Sequence, residues 1–358
     1  MHQIEHPKHT FEAAIAEHAF PGGVVFLSRD GDLKLHQAFG TTAYGDAISR
    51  EATTQTLYDI ASISKLFTAA ATLVAAREND VSIDEKIARF LPAFEYSKAR
   101  EVTVRQLLNH TSGLGIEVQS LHQSPGETWI TQIADAPLRD KVGNSVKYSC
   151  TNYFLLGRLV EKWTGGTLDK WIENRLVRPL QMTRTTFRPL IEYSIDEIAP
   201  CEIDAETGEA WRGIAHDEAA RVWMHEQGSA SGNSGMFSTA EDLSKFAQLW
   251  LQDGAWNGAQ IIDSDDVKAA LTQTVRAEHY DQGLGWHLNV SSWMGLRAPH
   301  GTSGHAGFTG PTLWIEPSHI ESSTRSVCII LNNRVYPSRD SPLRFKYHRR
   351  IAEWLRAS

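Results

Sequence analysis

The sequence predicts an α+β protein: an antiparallel sheet flanked by terminal helices, with a large, mostly helical lobe inserted between the sheet's two halves. Three observations predict it. A hairpin pattern lies near the N-terminus, strand character returns only after about residue 280, and the long stretch between reads as helices. The expected division is therefore 1–61 plus 281–358 for the sheet domain and 62–280 for the helical lobe.

In chain order, Phe11 and Ile15 at helical spacing predict a short amphipathic helix, closed by Pro21, Gly22 and Gly23. Two strand-like runs follow, Val24 to Ser28 and Leu33 to Phe39. Asp30-Gly31 between them tolerates the positive φ of a tight hairpin turn. Thr103 to Gln106 and Ser238 to Glu241 both read as capping boxes at helix starts. After the second, Leu243, Phe246, Ala247 and Trp250 form a one-sided apolar stripe that requires burial. A helix from about Asn152 to Trp163 stops at Gly165-Gly166. Strands are expected at Gly283 to Leu288, Thr312 to Ile315 and Val327 to Leu331, and a last helix from about Leu343 to Leu355. No internal repeat and no long linker are visible.

Composition excludes several classes. Hydrophobic residues make up 41% and charged residues 22%, ordinary for a globular protein, so collagen-like and wholly disordered readings fall away. Against 43 acidic residues stand 35 Lys and Arg, a formal charge of −8 with no basic block, which disfavours nucleic-acid binding. Cys150, Cys201 and Cys328 are far apart and lack C-x-x-C spacing, so neither a disulfide framework nor a cysteine zinc site is expected. The first thirty residues lack the apolar stretch of a signal peptide, and no run approaches the ~20 residues of a spanning helix. The expectation is a soluble, cytoplasmic protein without membrane association, unless a leader has been removed. No cofactor and no metal are expected, and the oligomeric state is open.

Ser62-Ile-Ser-Lys65 is the chain's single S-x-x-K, at the start of an Ala-rich helical stretch. Residues i and i+3 share a helix face, so the Lys65 amine can lie beside the Ser62 hydroxyl. A serine hydroxyl becomes a useful nucleophile when a neighbouring base takes its proton, which a desolvated lysine can do. Taken alone, the pattern is better described as a helix-capping serine and a solvated first-turn lysine.

Two further segments shift that balance: Lys147-Tyr148-Ser149-Cys150-Thr151-Asn152, and Gly304-His305-Ala306-Gly307-Phe308 running on to Pro317. With S-x-x-K they resemble, in order and spacing, the three motifs of the serine β-lactamase and penicillin-binding-protein family, in the branch of class C enzymes and family VIII-type carboxylesterases. Leu107 to Leu114, His216-Asp217-Glu218, Gly235 to Ala240 with Asp242-Leu243, and Gly283 to Trp286 are also similar to family landmarks. The resemblance covers about residues 20 to 337. It implies a β-lactamase/transpeptidase-like fold, Ser62 as the nucleophile of an acyl-enzyme, and Lys65 and Tyr148 as the groups that move its proton. It further implies an oxyanion hole from the backbone N–H groups of Ser62 and Phe308, and a substrate site around Cys150, Asn152, His305 and Gly307.

Two positions depart from the family pattern. His305 stands where a lysine is usual, which weakens the demand for an anionic substrate. Cys150 stands where the Tyr-x-Asn motif has its amide, so recognition of an acylamino group should be poor unless Asn152 substitutes. Tyr148 read alone is a packed aromatic ring, His305 a strand histidine and Cys150 a hydrophobic filler. His216-Asp217 reads as a structural hydrogen-bonded pair, and the tryptophans, among them Trp129, Trp223, Trp286 and Trp314, as core. There is no G-x-S-x-G, H-E-x-x-H or P-loop pattern. The expected partner is a small ester, amide or β-lactam-like substrate, with ester hydrolysis first. β-Lactam or D-amino-acid amide cleavage, acyl transfer, and a non-catalytic penicillin-binding-like protein are the alternatives.

Overall fold

The computed structural model describes residues 5–45, 47–121, 125–317, 324–342 and 345–358. Its centre is an eight-stranded antiparallel sheet. The order across it is Asp32–Gly40, Gly22–Arg29, Ser326–Asn332, Thr312–Glu316, Ser303–Ala306, His287–Leu288, Asp281–Gln282 and Val275–Arg276. The two ends of the chain therefore meet in one sheet, with Val25 opposite Ile330 and Phe26 opposite Ile329.

Period-two alternation explains why both faces are covered. Val25, Leu27, Trp314, Cys328 and Ile330 point to one face, where they pack with Phe11 of the helix Pro7–Ala16 and Ile351 and Leu355 of the helix Phe345–Ala357. Val24, Leu313, Ile315, Val327, Ile329 and Leu331 point to the other and join the main core, which includes Leu243, Phe246 and Trp250 of the helix Ala240–Leu251. The apolar stripe read in that helix is the surface that meets the sheet.

The hairpin forms as its turn chemistry predicts, with φ of 53° at Asp30 and 86° at Gly31. Gly22 and Gly23 differ from expectation: they belong to the first strand rather than closing the helix before it. A Cβ at Gly23 would lie 2.0 Å from the Leu331 carbonyl oxygen, so glycine is required by the closeness of the neighbouring strand. The Gly283 to Leu288 run is not one strand. Two short strands flank a turn in which Gly285 has φ 89° and donates its N–H to the Leu108 carbonyl.

The connecting region carries helices and three two-stranded pieces, Tyr58–Asp59 with Phe237–Ser238, Pro200–Ile203 with Ala210–Arg212, and Ala255–Trp256 with Ala259–Gln260. The Thr103–Gln106 capping box is present in full. At the other predicted box the cap is Thr239, whose hydroxyl accepts from the Asp242 N–H, because the Ser238 hydroxyl faces Thr185 at 2.8 Å. The helix Ser64–Glu78 is buried nearly all round and packs on the helix Cys150–Thr164, its alanines allowing close approach. Trp129, Trp223, Trp286 and Trp314 are buried in the cores. Among the described residues no helix is long and apolar enough to cross a membrane.

Candidate active site

Ser62 sits in a tight 3₁₀ turn, Ala61–Ile63, that runs directly into the helix Ser64–Glu78. The preceding Ala61 has φ 45°, a left-handed conformation that costs a residue with a Cβ of order 1–2 kcal/mol. Asp59 holds it there. One buried Asp59 oxygen accepts the Ala61 N–H and the other the His216 N–H, each at 2.8 Å. Burial pushes this carboxyl above its ordinary range. From the opposite side, the end of the strand Ser303–Ala306 presses on the same turn: a Cβ at Gly307 would stand 2.6 Å from the Ile60 carbonyl oxygen. Only glycine allows that approach, which brings the backbone at Phe308 up to the Ser62 turn. The Phe308 N–H makes no hydrogen bond among the described residues.

The Ser62 Oγ lies 3.0 Å from Lys65 Nζ and 2.9 Å from the Tyr148 hydroxyl, although Tyr148 is 86 positions away in sequence. The three side chains that the motifs singled out therefore converge on one point. Lys65 is fully buried and also donates to the Asn233 carbonyl at 2.8 Å, with Cys150 Sγ at 3.4 Å. Burial works against its charge, yet the Cys150 and Tyr148 side chains beside it outweigh burial and hold the ammonium above its ordinary range. Burial also raises the Tyr148 phenol, with the Lys65 cation opposing that shift. At neutral pH the pair is thus an ammonium beside a neutral phenol, with Ser62 Oγ accepting from both.

Tyr148 is held from behind by His110. The rings are 4.7 Å apart, and His110 itself has φ 59°. Its Nδ1 accepts from the Ser149 N–H at 3.2 Å and faces the Asn152 amide nitrogen at the same distance. Asn152 is therefore no substitute for the missing motif amide. It is fully buried, and its oxygen accepts from Ser112 Oγ at 2.7 Å. Two residues along a helix turn a side chain about 200° away, so Cys150 faces Lys65 while Asn152 faces the interior. Glu117 secures the start of the helix Cys150–Thr164 by accepting from Ser149 Oγ and the Cys150 N–H, each at 3.0 Å. A carboxylate at a helix N-terminus is favourably placed.

His305 lines the cleft but is almost fully buried, and its ring stacks on His287 at 4.3 Å. Its Nδ1 donates to the Ala306 carbonyl at 2.9 Å. Burial holds His305 and His110 well below the ordinary histidine range, and lowers His287 to about 3, each assisted by neighbouring cations. All three rings are neutral at pH 7. In the unfolded chain they take up protons near about 6.5, so the unfolded state binds more protons as pH falls below that value, and stability is lost in the same window. The melting temperature is expected to fall from pH 7 to pH 5, and by less in His287→Phe. An equal fall in both proteins would remove the histidine stack as the cause.

The cleft around these groups has a volume of 510 Å³ and is also lined by Gln119, His216, Asp217, Ser234, Tyr280 and Arg339. His216 and Asp217 do not bond to each other, contrary to the sequence reading. His216 Nε2 pairs with Glu202 at 3.1 Å, whereas Asp217 caps the helix Glu218–Gln227 and accepts from Gln119 at 2.7 Å. Arg339 is engaged by Glu202 and Glu218, each at 2.7 Å. Asp59, His110 and Glu117 are the supporting residues that sequence reasoning missed. His110 lies in the Leu107 to Leu114 segment and Asp59 three residues before Ser62, but neither carries readable chemistry of its own.

Comparison with known proteins places this geometry in a family. The β-lactamase family model matches residues 8–353. A protein of Escherichia coli (strain K12), whose name assigns it provisionally to the D-alanyl-D-alanine carboxypeptidases, is 30% identical over 336 residues, covering 83% of this chain and 76% of that one. The fold is shared with EstCE1, described as a hydrolase with promiscuous acyltransferase activity (TM-score 0.75, 19% identity, covering 98% and 97% of the two chains). It is shared equally with a class C β-lactamase from Rhodobacter sphaeroides (TM-score 0.73, 20% identity, 98% and 99%). With its antiparallel sheet, its S-x-x-K helix and a family match over nearly its whole length, this chain belongs to the β-lactamase family of serine hydrolases, which act on small amide, ester or β-lactam substrates.

Proposed function

We propose that the protein is a serine hydrolase that cleaves small, uncharged carboxylic esters through an acyl-Ser62 intermediate. The observation that carries this reading is the contact of one hydroxyl, Ser62 Oγ, with both Lys65 Nζ and the Tyr148 hydroxyl at 3.0 and 2.9 Å. Ser62 Oγ attacks the ester carbonyl as its proton passes into the Tyr148 and Lys65 pair. The new C–O bond forms, and the carbonyl electrons move onto an oxygen held by the Ser62 and Phe308 N–H groups. Collapse breaks the bond to the leaving alkoxide, which takes the proton back from Tyr148. Water activated by the same pair then releases the acid. Each backbone donor to the oxyanion is worth about 3 kcal/mol in such reactions. In this reading residues 1–61 with 281–358 and residues 62–280 supply the two walls of the cleft.

The preference for esters rests on charge. A carboxylate-bearing peptide or β-lactam needs a cation to hold it, and the third motif offers His305, neutral and buried. The cations at the cleft, Lys65 and Arg339, are already engaged by Ser62, Asn233, Glu202 and Glu218. The Cys150 thiol, a weak donor, replaces the amide that grips an acylamino group. With p-nitrophenyl butyrate, a D-alanyl-D-alanine peptide and nitrocefin compared directly, kcat/KM is expected to be at least 100-fold higher for the ester. Faster peptide cleavage would favour the carboxypeptidase activity named in the Escherichia coli relative. Ester product appearing only when an alcohol is added would favour acyl transfer. Failure of a fluorophosphonate to label Ser62 would leave a non-catalytic binding protein.

A further inference from the structure

A second cavity, of 590 Å³, lies beside the catalytic cleft. Its walls include Phe187, Leu190, Ile191, Ile214, Val222 and Met224. Ser234 lines both this cavity and the cleft around Ser62, so the two adjoin across one small side chain. The Ser234 hydroxyl is buried and has no hydrogen-bond partner among the described residues. Arg188 and Arg221 also border the cavity, but their charged ends are occupied. Arg188 bonds Gly228 and Asp169, whereas Arg221 bonds the Ala215 and His216 carbonyls and lies 4.0 Å over the Trp211 ring. At the mouth, Ile191 is 76% exposed and Leu190 48% exposed, with Ile214 and Val222 also open to solvent. So much exposed apolar surface around one opening marks a binding site more often than chance exposure. The size falls within the range of small-molecule sites.

We propose that this cavity is the subsite for the hydrocarbon chain of the substrate's acyl group, making the protein an esterase for medium-chain acyl esters. The inference rests on the hydrolase reading above and adds the substrate class to it. Its direction follows from proton transfer. The leaving oxygen must face Tyr148, the group that returns its proton, and that wall is built by Tyr148, His287, His305 and Tyr280 in mutual ring contact. The proposal directs the acyl substituent away from that wall, to the side of the cleft that Ser234 lines. Ser234, the one residue that lines both cavities, is the thin partition between them there, and the proposed chain reaches the apolar chamber past its side chain. Ser234 has a free hydroxyl to offer a polar atom of the ester at that junction.

The test is a series of p-nitrophenyl esters from acetate to dodecanoate, measured on wild type, Val222→Trp and Leu190→Asp. The two substituted positions are partly exposed, so the variants are checked for folding by circular dichroism. Wild-type kcat/KM is expected to rise by roughly 30-fold or more from acetate to octanoate, since each buried methylene contributes several-fold. The octanoate-to-acetate ratio is expected to fall about tenfold in both variants. A flat chain-length profile, or a ratio unchanged in the variants, overturns the subsite while leaving the esterase reading intact. If no ester is turned over at all, the hydrolase reading fails instead, and binding still decides the subsite. N-methyloctanamide, which carries its chain on the acyl side, titrated into Ser62→Ala by calorimetry should bind, and more weakly when Val222→Trp is added. No binding overturns the proposal.

Discussion

Ser62→Ala is expected to lower ester turnover by roughly 10⁴-fold to 10⁶-fold, the scale on which removing a nucleophile acts in serine hydrolases. The size follows from what the hydroxyl does in the proposed reaction. Without it no covalent acyl-enzyme can form, and the two-step route through acylation and deacylation is replaced by direct attack of water in a cleft shaped for another nucleophile. The fold should survive the change. Lys65 keeps the Asn233 carbonyl and the Cys150 contact, and Tyr148 keeps its ring contact with His110, so no buried charge is left without a partner. Two measurements separate loss of chemistry from loss of structure. The variant should melt within a few degrees of wild type, and intact-mass analysis after fluorophosphonate treatment should show one adduct on wild type and none on the variant. Turnover within tenfold of wild type would remove Ser62 from the mechanism.

What could be read in the sequence was whatever short-range chemistry decides. Asp30-Gly31 announces its hairpin because both residues tolerate the positive φ that the turn requires, and Thr103 with Gln106 announces a helix start because both partners lie within four residues. Two misread elements of the fold share one cause, a distant neighbour that a local pattern cannot contain. Ser238 looked like a cap, yet Thr185 lies against its hydroxyl and the cap moves one residue on. Gly283 to Leu288 looked like a strand, yet the Leu108 carbonyl takes the Gly285 N–H and bends it into a turn. The site divides the same way. Ser62, Lys65 and Tyr148 were legible through their motifs, and their meeting point is now visible in two short contacts. Asp59 could not be weighed, because its effect on the Ala61 turn depends on a second hydrogen bond from His216, far along the chain. Asn152 failed for a simpler reason, since helical rotation alone aims it at Ser112 and His110.

Tyr148→Phe is expected to lower kcat/KM by roughly 10²-fold to 10⁴-fold and to change the pH profile with it. Lys65 and Tyr148 are both held above their ordinary values, so at pH 7 the form of the pair that can accept the Ser62 proton is a minor one. Its population grows as pH rises. In wild type, kcat/KM should therefore climb through the alkaline range, by as much as about tenfold per pH unit, toward the apparent value of the couple. His287, lowered to about 3, should leave no inflection between pH 5 and 8, and burial likewise holds His110 and His305 well below the ordinary histidine range. Phenylalanine at 148 keeps the ring against His110 but removes the hydroxyl that bridges to Ser62, leaving Lys65 alone as base and the alkoxide without its proton donor. The alkaline limb should then shift, because the lysine no longer shares a proton with a phenol. If the limb stays where it was while the rate falls, Tyr148 orients substrate rather than carrying the proton. If instead a rise centred near pH 6.5 governs wild type, a histidine is the base and the assignment of the Lys65 and Tyr148 couple is wrong.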